Sequence, residues 1–159
     1  PGSGPVVFAI AGEEGDWRFA TPICYEDAVA ATCRRMVYSD SEKRLDFLVN
    51  LTNDGWYAGR GMRRQHAQLA SLRCIENRVP MVRSVNTGIS AAIDSLGRPS
   101  VRLGSYESGT LTHRLRIDER QTLYGRIGGW PWVLFVLFTA GATAFGAVFG
   151  RPIAKHRIG

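Results

Sequence analysis

Residues 45–85, LDFLVNLTNDGWYAGRGMRRQHAQLASLRCIENRVPMVRSV, carry the alternation on which the fold turns. Leu45 to Leu51 is an apolar run of strand length that ends in the polar cluster Thr52, Asn53, Asp54 and Gly55. From Met62 to Val79 the residues Leu69, Leu72, Ile75 and Val79 share one face of a helix, and Pro80 stops it. Met81 to Val85 then reads as a second strand.

Upstream, Pro5 to Ala11 and Trp17 to Ile23 read as two strands joined by the turn-like GEEGD, a hairpin signal. Asp27 to Tyr38 has helical composition, with Asp27 a plausible N-terminal cap and the Ala-rich face expected to turn inward. Downstream, strands are expected at Ser90 to Asp94 and about Gly109 to Ile117, with Leu96-Gly97-Arg98-Pro99 a turn between them. Strands alternating with helices imply an α/β layered domain, helices packed on a sheet.

The chain has 159 residues, 45% of them apolar, with 20 Lys and Arg against 14 acidic side chains. Aromatics at 10% exclude disorder, and three Cys cannot close a disulfide framework. All 14 acids and 17 of the bases lie in residues 1–128, so the body is only mildly basic and no nucleic-acid partner is called for. The start at Pro1 rather than Met suggests a truncated N-terminus.

No ionisable side chain occurs from Ile127 to Gly150. Residues 129–150 would span roughly 30 Å as a helix, enough to cross a bilayer. Trp130 and Trp132 stand at the leading edge, Pro131 suits a first helical turn, and Arg151, Lys155 and Arg157 follow. The density of positive charge puts the tail, residues 151–159, in the cytoplasm and residues 1–128 outside. The expected organisation is a catalytic portion at 1–117, a bridge at 118–128, a transmembrane helix at 129–150 and the basic tail.

Cys24 follows a strand and precedes a helix, so its side chain would sit on a tight turn near helix N-terminal amides that favour a thiolate. On that reading the Tyr25 amide could help hold an oxyanion, and Glu26 is close enough to orient neighbouring groups. The alternative is a buried structural cysteine. Cys33 and Cys74 fall inside helices, and the spacings of the three give no metal-ligand pattern. His66 is the candidate for a Cys–His dyad, or else a structural hydrogen-bonding residue. Asn53, Asp54, Gly55, Trp56 and Tyr57 end a strand where polar side chains often line a site, or else form a simple turn. Six Arg from Arg60 to Arg83 face only Glu76 as an acid, and could meet anionic headgroups or form a solvated face.

Together, ICYED at 23–27, NLTNDGWY at 50–57, RQHAQLASLRCIENRVPMVRSVNTGISAAID at 64–94 and the LGRP turn resemble the carbon–nitrogen hydrolase (nitrilase) superfamily. More closely, they resemble its membrane-bound branch, the apolipoprotein N-acyltransferases of bacteria, and Gly129-Trp130-Pro131-Trp132 is similar to the entry of that branch's last transmembrane helix. The resemblance implies a partial nitrilase-like α-β-β-α sandwich followed by one C-terminal transmembrane helix, in the bacterial inner membrane with the catalytic domain periplasmic. It implies transfer of an acyl chain from a phospholipid to the amine of a diacylglyceryl-cysteine lipoprotein through a thioester on Cys24. Tyr25 and Glu26 match motif positions of that site, Asn53, Asp54, Trp56 and His66 are candidates to contact substrate, and neither metal nor cofactor is implied.

The pattern departs from the family upstream. The resemblance implies a Glu general base, a Lys and a further Glu ahead of the nucleophile, but the 23 residues before Cys24 hold no Lys, and Glu13 and Glu14 fall in the expected hairpin turn. Lys43 and Lys155 follow Cys24 and cannot take that role. The expectation is therefore a C-terminal fragment of the enzyme, inactive alone. Two alternatives stand beside it, a nitrilase-like amidase or hydrolase acting on a C–N bond with water as acceptor, and a membrane-tethered binding module without catalysis.

Overall fold

The computed structural model describes residues 4–12 and 15–149. The chain divides at the Gly128–Gly129 bond into two units. In the first unit the strands are β1 (Phe8–Ile10), β2 (Trp17–Ala20), β3 (Tyr38–Ser39), β4 (Glu42–Lys43), β5 (Phe47–Asn53), β6 (Met81–Asn86), β7 (Ser90–Ile93) and β8 (Pro99–Leu103). The helices are α1 (Ala30–Val37), α2 (Arg60–Asn77) and α3 (Leu123–Ile127).

Six strands make one mixed sheet in the order β1-β2-β5-β6-β7-β8. β2, β5 and β6 run parallel, each connected to the next through helix, whereas β1 pairs antiparallel with β2, and β6, β7 and β8 pair antiparallel in sequence. The core lies between this sheet and the helices, where Ala20, Leu48, Met81, Ala91 and Ile93 of the strands meet Met36, Val37, Ala70 and Cys74. On the opposite face Phe8, Phe19 and Phe47 stack across three strands with ring centroids 5.2 and 5.3 Å apart. The described residues thus hold one helix layer and one main sheet, a mixed α/β arrangement as expected.

Several local expectations are corrected. Asp27 caps no helix; it is fully buried inside a 3-10 turn, Cys24–Ala28, and α1 begins only after Val29. The buried face of α1 is Cys33, Met36 and Val37 rather than the Ala-rich one. On α2 the expected apolar stripe faces outward at Leu72 and Ile75, and the buried residues are Arg63, His66, Ala70, Arg73, Cys74 and Asn77. No strand forms over 109–117, because the alternation of half-buried Leu115 and Ile117 with exposed Arg114 and Arg116 belongs to an irregular chain laid on the body without a ladder partner. The strand at the end of the domain is instead β8, directly after the LGRP turn, where Gly97 has φ +78° and its amide donates to the Asp94 carbonyl at 2.9 Å.

The segment before Gly128 is fastened to the body. Arg34 Nε donates to the carbonyls of Tyr124 and Gly125 at 3.1 and 3.0 Å, Thr122 Oγ1 donates to the Glu76 carbonyl at 2.5 Å, and Asp118 accepts from Ser95 at 2.6 Å.

The second unit contains α4 (Trp130–Phe149), 20 residues with a mean hydropathy of 2.0 over an 18-residue window and no buried residue. By length and composition it is able to cross a membrane. Glu13, Glu14, Gly150 and the tail 151–159 lie outside the described residues.

Candidate active site

Parallel strands bring their carboxyl ends to one edge of the sheet, and the chemistry-bearing residues collect there. β2 leads through Pro22 to Cys24, β5 ends at Asn53 with Asp54 opening the next turn, and β6 carries Arg83. A single parallel bridge, Ile23 to Leu51, ties the cysteine turn to β5.

Cys24 has φ 51°, in the left-handed region that costs a non-glycine residue energy. Four hydrogen bonds hold the turn. The Glu26 amide donates to the Ile23 carbonyl at 3.1 Å, Glu26 Oε2 accepts from the Ile23 amide at 2.8 Å, and Asn50 Nδ2 donates to the carbonyls of Pro22 and Cys24 at 2.9 and 3.2 Å. The Cys24 thiol is half-buried and its pKa is lowered. The Thr52 hydroxyl is the main cause; burial opposes it, while the Asn53 and Tyr25 amides and the charge of His66 add to it. The sequence reading assigned this effect to helix amides, yet a strand hydroxyl leads. By contrast, burial pushes Cys33 up to about 12 and also raises Cys74, so neither is a ready nucleophile.

Beneath the cysteine turn lies a closed ionic cluster. His66 Nε2 meets Asp27 Oδ1 and Nδ1 meets Asp54 Oδ1, each at 2.7 Å. Arg83 bonds both carboxylates, Asp27 closely and Asp54 at 3.4 Å, and its Nη1 donates to Asn50 Oδ1 at 2.8 Å. Asp27, Asp54, Asn50, His66 and Arg83 are all 2% exposed or less. Burial by itself would push His66 down; its bonds to the two Asp carboxylates outweigh this and raise it to about 9. An imidazolium, a guanidinium and two carboxylates balance to zero net charge, which is what permits their burial. Both ring nitrogens of His66 are committed to Asp, so the Cys–His dyad is not the arrangement found.

Around the turn, Tyr25, Tyr57, Met62, Gln65, His66 and Leu69 wall a cleft of about 410 Å³. Tyr25 and Tyr57 stand 5.5 and 5.8 Å from the His66 ring, centroid to centroid. Of the remaining candidates, Asn53 caps the following turn by accepting from the Gly55 amide at 2.9 Å, and Trp56 is 83% exposed and outside the cleft walls. Of the six Arg between 60 and 83, Arg63, Arg73 and Arg83 are buried, which removes half of that group from any headgroup-facing role. Lys43 sits elsewhere, donating to the carbonyls of Arg78 and Asp118. Among the described residues no cluster of His, Cys, Asp and Glu could hold a metal.

Sequence reasoning missed Asn50, Thr52 and Arg83 as site residues, and misread Asp27. The one available signal was their place inside the recognised motifs, Asn50 and Thr52 within NLTND, Arg83 within the stretch 64–94 and Asp27 closing ICYED.

The carbon–nitrogen hydrolase family model matches residues 1–124. Curated relatives include the apolipoprotein N-acyltransferases of Bdellovibrio bacteriovorus, 33% identical over 98% of this chain and 27% of that protein, and of Bradyrhizobium diazoefficiens, 39% identical over 72% and 20%. The chain thus spans about a quarter of the length of the curated relatives it matches. Among solved structures, an amidase of the nitrilase superfamily from Nesterenkonia matches 66% of this chain and 39% of its own, with TM-score 0.51 and 16% identity, a likeness of fold.

Proposed function

The chain belongs to the carbon–nitrogen hydrolase family, and on that premise we propose that it serves an acyltransferase that moves an acyl chain from a phospholipid to the N-terminal amine of a diacylglyceryl-cysteine lipoprotein, with Cys24 as nucleophile. The observation that carries this reading is a half-buried thiol of lowered pKa on a left-handed turn at the carboxyl edge of the parallel strands. Cys24 ionises, its thiolate attacks the ester carbonyl, the C–O bond breaks and the lysophospholipid leaves by taking up the proton that Cys24 released, with the acyl chain held as a thioester. The lipoprotein amine then attacks the thioester carbonyl, the new C–N bond forms, the C–S bond breaks, and the proton shed by the amine is left to restore the Cys24 thiol. The Tyr25 amide faces the developing oxyanion, the Tyr25 ring walls the cleft, and Glu26 acts by fixing the turn. Asp54 and His66 support the site from beneath, whereas Asn53 and Trp56 are left as turn residues. His66 is not assigned the proton transfers, since both its nitrogens are engaged.

In this reading residues 1–117 are catalytic, 118–128 a bridge, and 129–150 cross the bacterial inner membrane with the catalytic residues on the periplasmic side. The relatives' name and the apolar α4 favour a lipid donor over the soluble substrates of an amidase.

The test uses the full-length protein in membranes with a phospholipid radiolabelled in its acyl chain. A hydroxylamine-labile label on the protein is expected, absent from Cys24→Ala, and chased onto an added diacylglyceryl peptide. Persistence of the label in Cys24→Ala removes Cys24 as nucleophile, and release of free fatty acid in place of acylated peptide turns the reading to a hydrolase.

A further inference from the structure

Thr52 lies on β5 between Leu51, the partner of Ile23 in the isolated bridge, and Asn53. That register sets Thr52 across from Cys24. Leu48, Asn50 and Thr52 alternate onto the same face of β5, and Asn50, two residues earlier, already grips the Cys24 carbonyl at 3.2 Å. The Thr52 Oγ1 is buried yet completes no hydrogen bond of normal geometry. A buried hydroxyl whose hydrogen bond is poorly made costs on the order of 1–3 kcal/mol, a cost that a stronger acceptor beside it would offset. The group within its reach is Cys24 Sγ. A neutral thiol is a weak acceptor, and a thiolate is a strong one.

We propose that Thr52 is a further catalytic residue, whose hydroxyl donates a hydrogen bond to the Cys24 thiolate whenever that anion exists. The bond forms in the resting nucleophile, is lost when Sγ carries an acyl group, and forms again as the C–S bond breaks and the electron pair returns to sulfur. Thr52 neither gains nor loses its proton, so it stabilises the attacking and departing anion without acting as a base. The proposal rests on Cys24 as the nucleophile of the preceding section, but it does not depend on the identity of the acyl donor.

The other groups facing the thiol are His66 from α2, whose charge favours the thiolate, the Tyr25 and Asn53 amides, and Tyr57, whose own ionisation is disfavoured partly by Cys24. A substitution at position 52 replaces none of these groups.

The experiment measures the pH dependence of Cys24 alkylation by iodoacetamide in the full-length protein, with the modified cysteine assigned by peptide mass spectrometry. Thr52→Val keeps the shape and removes the hydroxyl, so its alkylation midpoint should rise by about one pH unit, while Thr52→Ser should stay near the native midpoint. Thr52→Ala supplies a second hydroxyl-free variant, and circular dichroism selects those that keep the native fold. An unmoved midpoint in the folded hydroxyl-free variants overturns the proposal, and so does an equal shift in Thr52→Ser, which would trace the effect to packing. Failure of phospholipid labelling with the alkylation shift intact would overturn the acyltransferase reading and leave Thr52 in its role.

Discussion

His66 was a candidate base in the sequence and is a buried cation in the structure. With its pKa raised from 6.5 to about 9, it holds in the folded state a proton that the unfolded chain releases near 6.5. The resulting stability is fully present below about pH 6.5 and is lost as pH rises through about 9. Compared with His66→Gln, which cannot gain a proton, the native protein should therefore lose its advantage in urea midpoint between pH 6 and pH 9.5. A gap that stays constant over that range would mean His66 is neutral in the fold. Cys24, Tyr25 and Glu26 were legible because their signals are local, a strand, a tight turn and three consecutive motif residues. The cluster below was not, since Asp27 finds His66 and Arg83 at separations of 39 and 56 residues, and isolated Asp or Arg in a sequence normally signals surface. Reading Asp27 as a helix cap followed the best local rule, and a long-range ion pair overrode it.

At the scale of elements, the turn between β6 and β7 is built around a close approach. Gly88 is buried, and a Cβ placed there would collide with the Asp54 carboxylate, reaching its Cγ at 2.8 Å, and with Val85 Cγ1. Asp54 cannot retreat without loosening its bonds to His66 and Arg83. Gly88→Ala should therefore cost about 1–3 kcal/mol in urea unfolding and slow Cys24 alkylation as well. Gly61, in the first turns of α2 with open space around it, is the control. Gly61→Ala should be stabilising by about 0.5–1 kcal/mol, leaving alkylation unchanged. Equal effects of the two substitutions would show that the contact with Asp54 is unimportant. The order of strands and helices around this turn was readable from periodicity, but the face of α2 was not. A helix is read by its apolar stripe, and here Leu72 and Ile75 remain 45% and 41% exposed while Arg63, His66, Arg73 and Asn77 are buried against partners of their own. Periodicity likewise gave a strand at 109–117, because extended chain with alternate residues half-buried has the same pattern whether or not a ladder forms.

For the molecule as a whole, the mean hydropathy of −0.10 conceals two unlike parts, a body with every acidic side chain of the sequence and α4 with no charge at all. α4 runs for 20 residues without a charged side chain, the length and composition that crossing a bilayer requires. Thr139 and Thr143 return their hydroxyls to carbonyls one turn earlier, at 2.8–3.0 Å, so the polar side chains in the stretch are satisfied within the helix. Such a segment suits hydrocarbon on all sides. Placed in a membrane-insertion reporter, residues 129–150 should insert efficiently, and Leu137→Arg near the middle should raise the apparent insertion free energy by about 3 kcal/mol, sharply reducing the inserted fraction. Ala140→Leu, which adds apolar surface at a neighbouring position, should preserve or increase insertion. If the native segment passes wholly into the aqueous compartment, α4 has to be covered by protein, and the preference for a phospholipid donor loses its support from this helix.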